Sequence, residues 1–193
     1  KRWRTLMESL GVPWDPVGQC WWTKLIELHL EPWRAYHTLK HISEILERLD
    51  GVTEKLGKVG QQAVCLAAWF HDAIYVGRWK DNERRSAALF DKFCEAAGLS
   101  DSRLARLVRQ IIIDTEKHAD AVKRLREEAR EKGISLDPLS FSFSGGEGEG
   151  KEAELAIVSS LLFLDCDLAV LSRSSEGYLQ YAEQVRKGEG RGR

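Results

Sequence analysis

Nothing in this sequence supplies a disulfide framework or a cysteine metal knuckle. Its four cysteines, Cys20, Cys65, Cys94 and Cys166, stand far apart, and no CxxC occurs. Cys65 and Cys166 lie in strongly apolar runs, so the set reads as reduced core thiols of a cytoplasmic protein. β-branched alternation is almost absent, which argues against a half-buried sheet and for an all-α fold. A basic surplus is also missing. With 29 Lys+Arg against 30 Asp+Glu the net charge is −1, so no general attraction for polymeric nucleic acid is expected. No apolar run reads as long enough to cross a bilayer, and no signal-peptide pattern or internal repeat is visible. No membrane partner is therefore expected. Proline is scarce, with four in 193 residues, so each one is informative about where helices start and stop.

What the sequence has is helix-forming segments of ordinary composition, 43% hydrophobic and 31% charged, in a length that suits a single domain. The tryptophan-rich stretch 1–30 is broken at Asp15-Pro16. Pro32 suits the first turn of a helix running to about Leu49, with Asp50-Gly51 as its stop. An apolar helix is expected over about 59–72. Residues 73–81 read as a loop, followed by a helix capped at Asp81 or Asn82 and ended by Gly98. Ser100 or Asp101 is expected to cap a further helix that reaches about His118. A charged, solvated helix follows over 119–132. A Gly/Ser/Glu-rich flexible insertion is read at about 138–151. A second strongly apolar helix spans about Glu152–Leu171, and a last helix carries Tyr178, Tyr181 and Val185. The single helical domain thus covers 1–187, and 188–193 read as a disordered tail.

The chemistry concentrates where the first apolar helix ends, at Ala67-Ala-Trp-Phe-His71-Asp72. A helix apolar on all sides is normally buried, and a buried carboxylate without a partner costs several kcal/mol. No Lys or Arg lies within five residues on either side. A divalent metal shared by the imidazole and the carboxylate meets that need. His37 and His41, four apart, are expected to share one helix face with Arg34. His118, four residues after Asp114, continues the apolar stripe of its own helix. Asp165 and Asp167 interrupt the second apolar helix. They lie about 200° apart around its axis, so at most one can face a shared site.

The order His41, His71-Asp72 and a late helical Asp resembles the ligand pattern of the HD superfamily. Arg34-Ala-Tyr-His-Thr-Leu-Lys-His41-Ile, Phe70-His-Asp-Ala-Ile-Tyr75, Asn82-Glu-Arg-Arg-Ser-Ala87 and Phe163-Leu-Asp-Cys-Asp-Leu-Ala-Val-Leu171 are similar to segments of predicted HD phosphohydrolases, over residues 20–187. The resemblance implies an HD-domain-like helical bundle with its metal site between core helices. It implies His41, His71, Asp72 and Asp167 as ligands of a divalent ion (Mn, Zn, Fe, Co, Ni or Mg), with Asp167 preferred to Asp165. His118 is the one histidine between the HD pair and the last Asp, so a mononuclear centre is expected.

The implied activity is hydrolysis of a small phosphorylated substrate, such as a nucleotide, with Asp72 and Glu83 as catalytic groups. Arg34, His37, His118 and Arg78 are the expected substrate contacts. Arg34 is read as a phosphate fork or as the salt-bridge partner of a neighbouring acid, and Lys80, Arg84 and Arg85 as supporting positive charge. Tyr75 or Trp79 offers a surface for stacking on a base. Two other classes share the fold: dinuclear iron oxygenases, and non-catalytic nucleotide or protein binders.

Overall fold

A computed structural model describes residues 1–137 and 148–189. Among these, every regular element is helical. The helices are α1 (Arg2–Leu10), α2 (Gln19–His29), α3 (Leu39–Asp50), α4 (Gly57–Phe70), α5 (Asn82–Ala97), α6 (Arg103–Asp114), α7 (His118–Glu131), α8 (Glu149–Asp167) and α9 (Ser175–Glu189).

The all-apolar segment takes the central place. α4 packs against α1, α3, α5, α6 and α8. Its residues Ala63, Val64, Leu66, Ala67, Ala68 and Phe70 have essentially no solvent exposure. Small residues on this helix allow close approach. Gly60 lies so near α8 that an added Cβ would stand 2.9 Å from Leu155 Cδ1 and 2.7 Å from Leu56 Cβ. The amphipathic helices α3 and α6 turn Ile42, Ile45, Leu46 and Leu49, and Leu104, Leu107, Val108, Ile111 and Ile112, onto the same core. Trp3 and Trp21, from the tryptophan-rich beginning of the chain, close one end of it against Phe70 and Phe93. The break between α1 and α2 falls at Trp14–Gly18, which contains the Asp15–Pro16 bond. Cys94 is buried, Cys65 and Cys166 are half-buried and Cys20 is exposed; all four are free thiols.

Several expected boundaries move. The helix expected to begin near Pro32 begins at Leu39. Thr38 caps it, with Oγ1 accepting from the Lys40 amide at 3.4 Å. The preceding backbone is engaged elsewhere, with the Thr38 amide on the Tyr36 carbonyl and the His37 carbonyl on Arg34. α6 is capped by Ser102, whose Oγ accepts from the Ala105 amide at 3.0 Å. Asp101, expected as the cap, sits in the left-handed region at φ 60°. α6 ends at Asp114, and a 3-10 turn over Thr115–Lys117 separates it from α7. Asp114 and His118 therefore do not share one continuous helix face.

The expected insertion lies largely outside the described residues, at 138–147, although α8 already begins at Glu149. α8 and its 3-10 continuation, Gly150–Ser172, are long and apolar enough to cross a membrane by length and composition, which was not expected. In the fold this helix packs against α3, α4, α6 and α7. α9 runs on to Glu189, into the stretch expected to be a disordered tail, and 190–193 lie outside the described residues.

His29, at the end of α2, is 1% exposed. Its Nδ1 donates to the Leu25 carbonyl at 2.8 Å, while Nε2 has no partner among the described residues. Burial, reinforced by the Arg34 charge, pushes its pKa down to about 4. The unfolded chain, with a His pKa of about 6.5, therefore binds more protons than the folded one between those values. Stability from neutral His29 is complete above about pH 6.5 and is lost as pH falls toward 4, by on the order of 3 kcal/mol. Chemical denaturation from pH 7 to 4 should show this loss, and His29→Phe should flatten it. An equally steep slope in the variant would remove His29 as its source.

Candidate metal centre

The last turn of α4 carries the first ligand candidates. The His71 amide still bonds helically to the Ala67 carbonyl at 2.8 Å. The His71 Nδ1–H donates to that same carbonyl at 3.2 Å. A carbonyl can only accept, so Nδ1 carries the proton, and in the neutral ring Nε2 is left as a lone pair. That Nε2 faces Asp72 Oδ2 at 3.0 Å, His41 Nε2 at 3.3 Å and Asp167 Oδ1 at 3.6 Å. His41, in the first turn of α3, places Nε2 3.0 Å from Asp167 Oδ1 and 3.7 Å from Asp72 Oδ2. Asp167 arrives from the last residue of α8. Three separate helices thus deliver donors to one point. His41, His71 and Asp167 each offer one ligand atom within 4.8 Å of the others.

The donor set suits a divalent ion. Atoms sharing one ion at about 2.0–2.2 Å stand roughly 2.8–3.6 Å from each other. The five spacings above run from 3.0 to 3.7 Å, so only the longest lies just outside that range; the mutually close group is His41, His71 and Asp167, and Asp72 stands beside it through His71 and His41. The Nδ1–carbonyl bond of His71 is the kind of outer contact that fixes a ligand imidazole.

The electrostatics lead to the same place. Asp72 and Asp167 are two mostly buried carboxylates, and among the described residues their ion-pair partners are all histidines. Burial alone would push His71 down, but the charges of Asp72 and Asp167 outweigh it and hold the imidazole well above its usual range. Burial likewise opposes ionisation of Asp72 and Asp167. The charges of His71 and His37 overcome it for Asp72. For Asp167 the His71 charge and bonds from His118 and His41 do so. The cluster holds more negative charge than neutral imidazoles can balance, and it takes up a cation or a proton to compensate.

Around this point the expected residues divide. His118 opens α7 and places Nε2 2.8 Å from Asp167 Oδ2, so it meets the cluster through the second carboxylate oxygen of Asp167. His37 lies outside α3. Its Nε2 is 3.9 Å from Asp72 Oδ2, and its ring packs on Tyr75 at 4.1 Å. Burial pushes His37 below the usual imidazole range, partly offset by Asp72. Glu83 lies half-buried in the first turn of α5. Its carboxyl is raised by burial, with Asp72 and Glu116 adding to the effect. Asp165 faces solvent, as the opposed directions of the two acids require.

Arg34 is not the expected phosphate fork. Its side chain is fully buried. Nε pairs with Glu31 at 3.0 Å, Nη1 donates to the carbonyls of Asp72 and His37, and Nη2 donates to that of Ala73. Arg84 is paired with Glu116, while Arg85 is paired with Asp81 and stacked over Trp79. Arg78 and Lys80 are exposed, and no ion pair or hydrogen bond brings either to the cluster. Asp114 pairs with Arg124 at 2.5 Å and accepts from Gln110 at 2.8 Å. Tyr75 packs on His37, and Trp79 is taken up by Arg85.

Tyr36, to which the sequence assigns no site role, lies with its ring 4.7 Å from that of His41 and against Tyr181 of α9. Its phenol is raised by burial and by the Asp167 and Glu44 charges. A tyrosine flanked by Arg34 and His37 carries no periodicity signal for such a role.

No protein-family model, curated protein or solved structure matches the chain.

Proposed function

We propose that the chain is a metal-dependent phosphohydrolase of the HD type, acting on a small phosphoester such as a nucleotide. The observation that carries this is the convergence of His41, His71, Asp72 and Asp167 from α3, α4 and α8, without a lysine or arginine ion-paired to either carboxylate among the described residues. In this reading these four side chains hold the ion. A bound divalent cation supplies Lewis acidity toward a phosphoryl oxygen and makes water nucleophilic near neutral pH. The chain's own groups do the rest. The Ala67 carbonyl holds His71 in the tautomer that leaves Nε2 free. His37 and His118 are the more exposed imidazoles of the cluster, with side chains 19% and 25% accessible. They form the rim where a phosphate would meet hydrogen-bond donors. Glu83, its carboxyl raised by burial and by the Asp72 charge, is the candidate to supply or relay a proton.

The overall charge is near zero and the nearby arginines Arg84 and Arg85 are paired. Attraction for an anion therefore has to be short-range, which favours a small substrate over a polymer. The test is phosphate release from a panel of nucleotides and small phosphoesters, with Mn, Zn, Co, Ni or Mg added to chelator-treated protein. Metal-dependent turnover of at least one compound, lost in Asp72→Ala, is the expected result. A metal-loaded wild type that turns over nothing across the panel removes the hydrolase reading.

One observation favours a second reading. Asp167 offers its two oxygens to different imidazoles, His41 and His118, as a carboxylate bridging two irons would. An oxygen-dependent visible absorption from two bound irons per chain would select the oxygenase class instead.

A further inference from the structure

We propose that Arg34, neutralised by Glu31, is a positioning residue that sets the geometry of the metal ligands. The inference rests on the metal reading of the cluster and not on the phosphohydrolase assignment. The last carbonyls of a helix have no partner within it, and α4 ends at Phe70, just before the ligands His71 and Asp72. The Arg34 guanidinium supplies donors to the turn that continues past this end, with Nη1 2.6 Å from the Asp72 carbonyl and Nη2 2.8 Å from the Ala73 carbonyl. A cation at the negative end of α4 is also favoured by the helix dipole. The same Nη1 donates to the His37 carbonyl at 3.1 Å, one residue before the Thr38 cap of α3. One rigid plane thus joins the segment that presents His71 and Asp72 to the segment that presents His37 and His41.

Glu31 completes the unit by pairing with Nε at 3.0 Å. A fully buried guanidinium needs such a counter-charge. The carboxylates of Asp72 and Asp167 are left to the histidines, and Arg34 meets Asp72 only through its backbone. Lysine could not replace this arrangement, because a single ammonium lacks the planar fork that reaches three carbonyls and a carboxylate together.

The test is Co2+ titration of the full chain, followed by visible absorption, with folding checked by circular dichroism at low temperature. Wild type should bind Co2+ with a defined ligand-field spectrum. Arg34→Lys should bind it about 10–100-fold more weakly, the range for groups that orient ligands without touching the ion, with a shifted spectrum in a folded protein. An Arg34→Lys variant with wild-type affinity and spectrum, whatever its melting temperature, would make Arg34 a purely structural residue and overturn the proposal. If that variant does not fold, Glu31→Gln decides, because it removes the charged partner that fixes the guanidinium plane at Nε. A weakening of about 10-fold, the lower end of that range, together with a shifted spectrum supports positioning, and an unchanged affinity and spectrum overturn it. A wild type that binds no Co2+ defeats the metal reading itself, and the proposal with it. A wild type that binds Co2+ but releases no phosphate defeats only the hydrolase assignment.

Discussion

Asp167→Ala is expected to abolish metal binding and phosphate release, while Asp165→Ala is expected to change neither. The two acids are nearest alternates in the sequence, and the fold separates them completely. Asp167 closes α8 with Oδ1 3.0 Å from His41 and Oδ2 2.8 Å from His118, its side chain only 11% exposed. Asp165 points to solvent beside Arg126 and Leu162 on the other face of the helix. Removing Asp167 deletes one of two anionic donors and releases His118 from its partner. The affinity loss should exceed the roughly 100-fold that marks the upper end for outer-contact mutations, and phosphate release should fall with it. Equilibrium dialysis with Mn or Zn, with circular dichroism as a folding control, reads the result. Equal losses in both variants would mean that α8 does not present Asp167 to the site.

Phe70→Ala is expected to lower stability by about 3–5 kcal/mol, the range for truncating a well-packed aromatic. Phe70 is completely buried. Its ring centroid lies 5.2 Å from that of Phe90, 5.3 Å from Phe93, 6.0 Å from Trp21 and 6.2 Å from Trp3. The hole left by its ring is walled by four rigid aromatic groups from α1, α2 and α5, which cannot all move inward. In a chain of this size such a loss corresponds to roughly 6–20 °C in melting temperature. Leu171→Ala, at a side chain 48% exposed, is the control and should stay within about 0.5 kcal/mol of wild type. Urea denaturation of both variants checks the contrast. A Phe70 variant as stable as the Leu171 variant would contradict the packing of α4 as the centre of the core.

The elements that the sequence made legible are those with strong periodicity or clear end signals. α5, between Asp81 and Gly98, and the apolar α4 fall within about two residues of expectation. The clustered residues were legible because histidines are few and His71 adjoins an acid at the end of an apolar run. Arg34 was misread because helix spacing was assumed across 32–38. In the fold that backbone turns, and the guanidinium is drawn inward by carbonyls from a segment 38 residues away. No pairwise spacing encodes such a contact. The end of α6 was missed for a related reason. Thr115 Oγ1 bonds the Ile112 carbonyl at 2.7 Å and helps turn the chain where the apolar stripe continues unbroken in sequence. The choice between Asp165 and Asp167 could be narrowed to one acid by helix geometry, but which one faces inward depends on how α8 packs.

The claim that holds the rest together is that His41, His71, Asp72 and Asp167 share a divalent ion. Anomalous scattering from crystals grown with Mn2+ or Zn2+ measures it directly. The account predicts one strong peak within bonding distance of His41 Nε2, His71 Nε2 and carboxylate oxygens of Asp72 and Asp167. A metal-saturated crystal with no peak among these four side chains would contradict it.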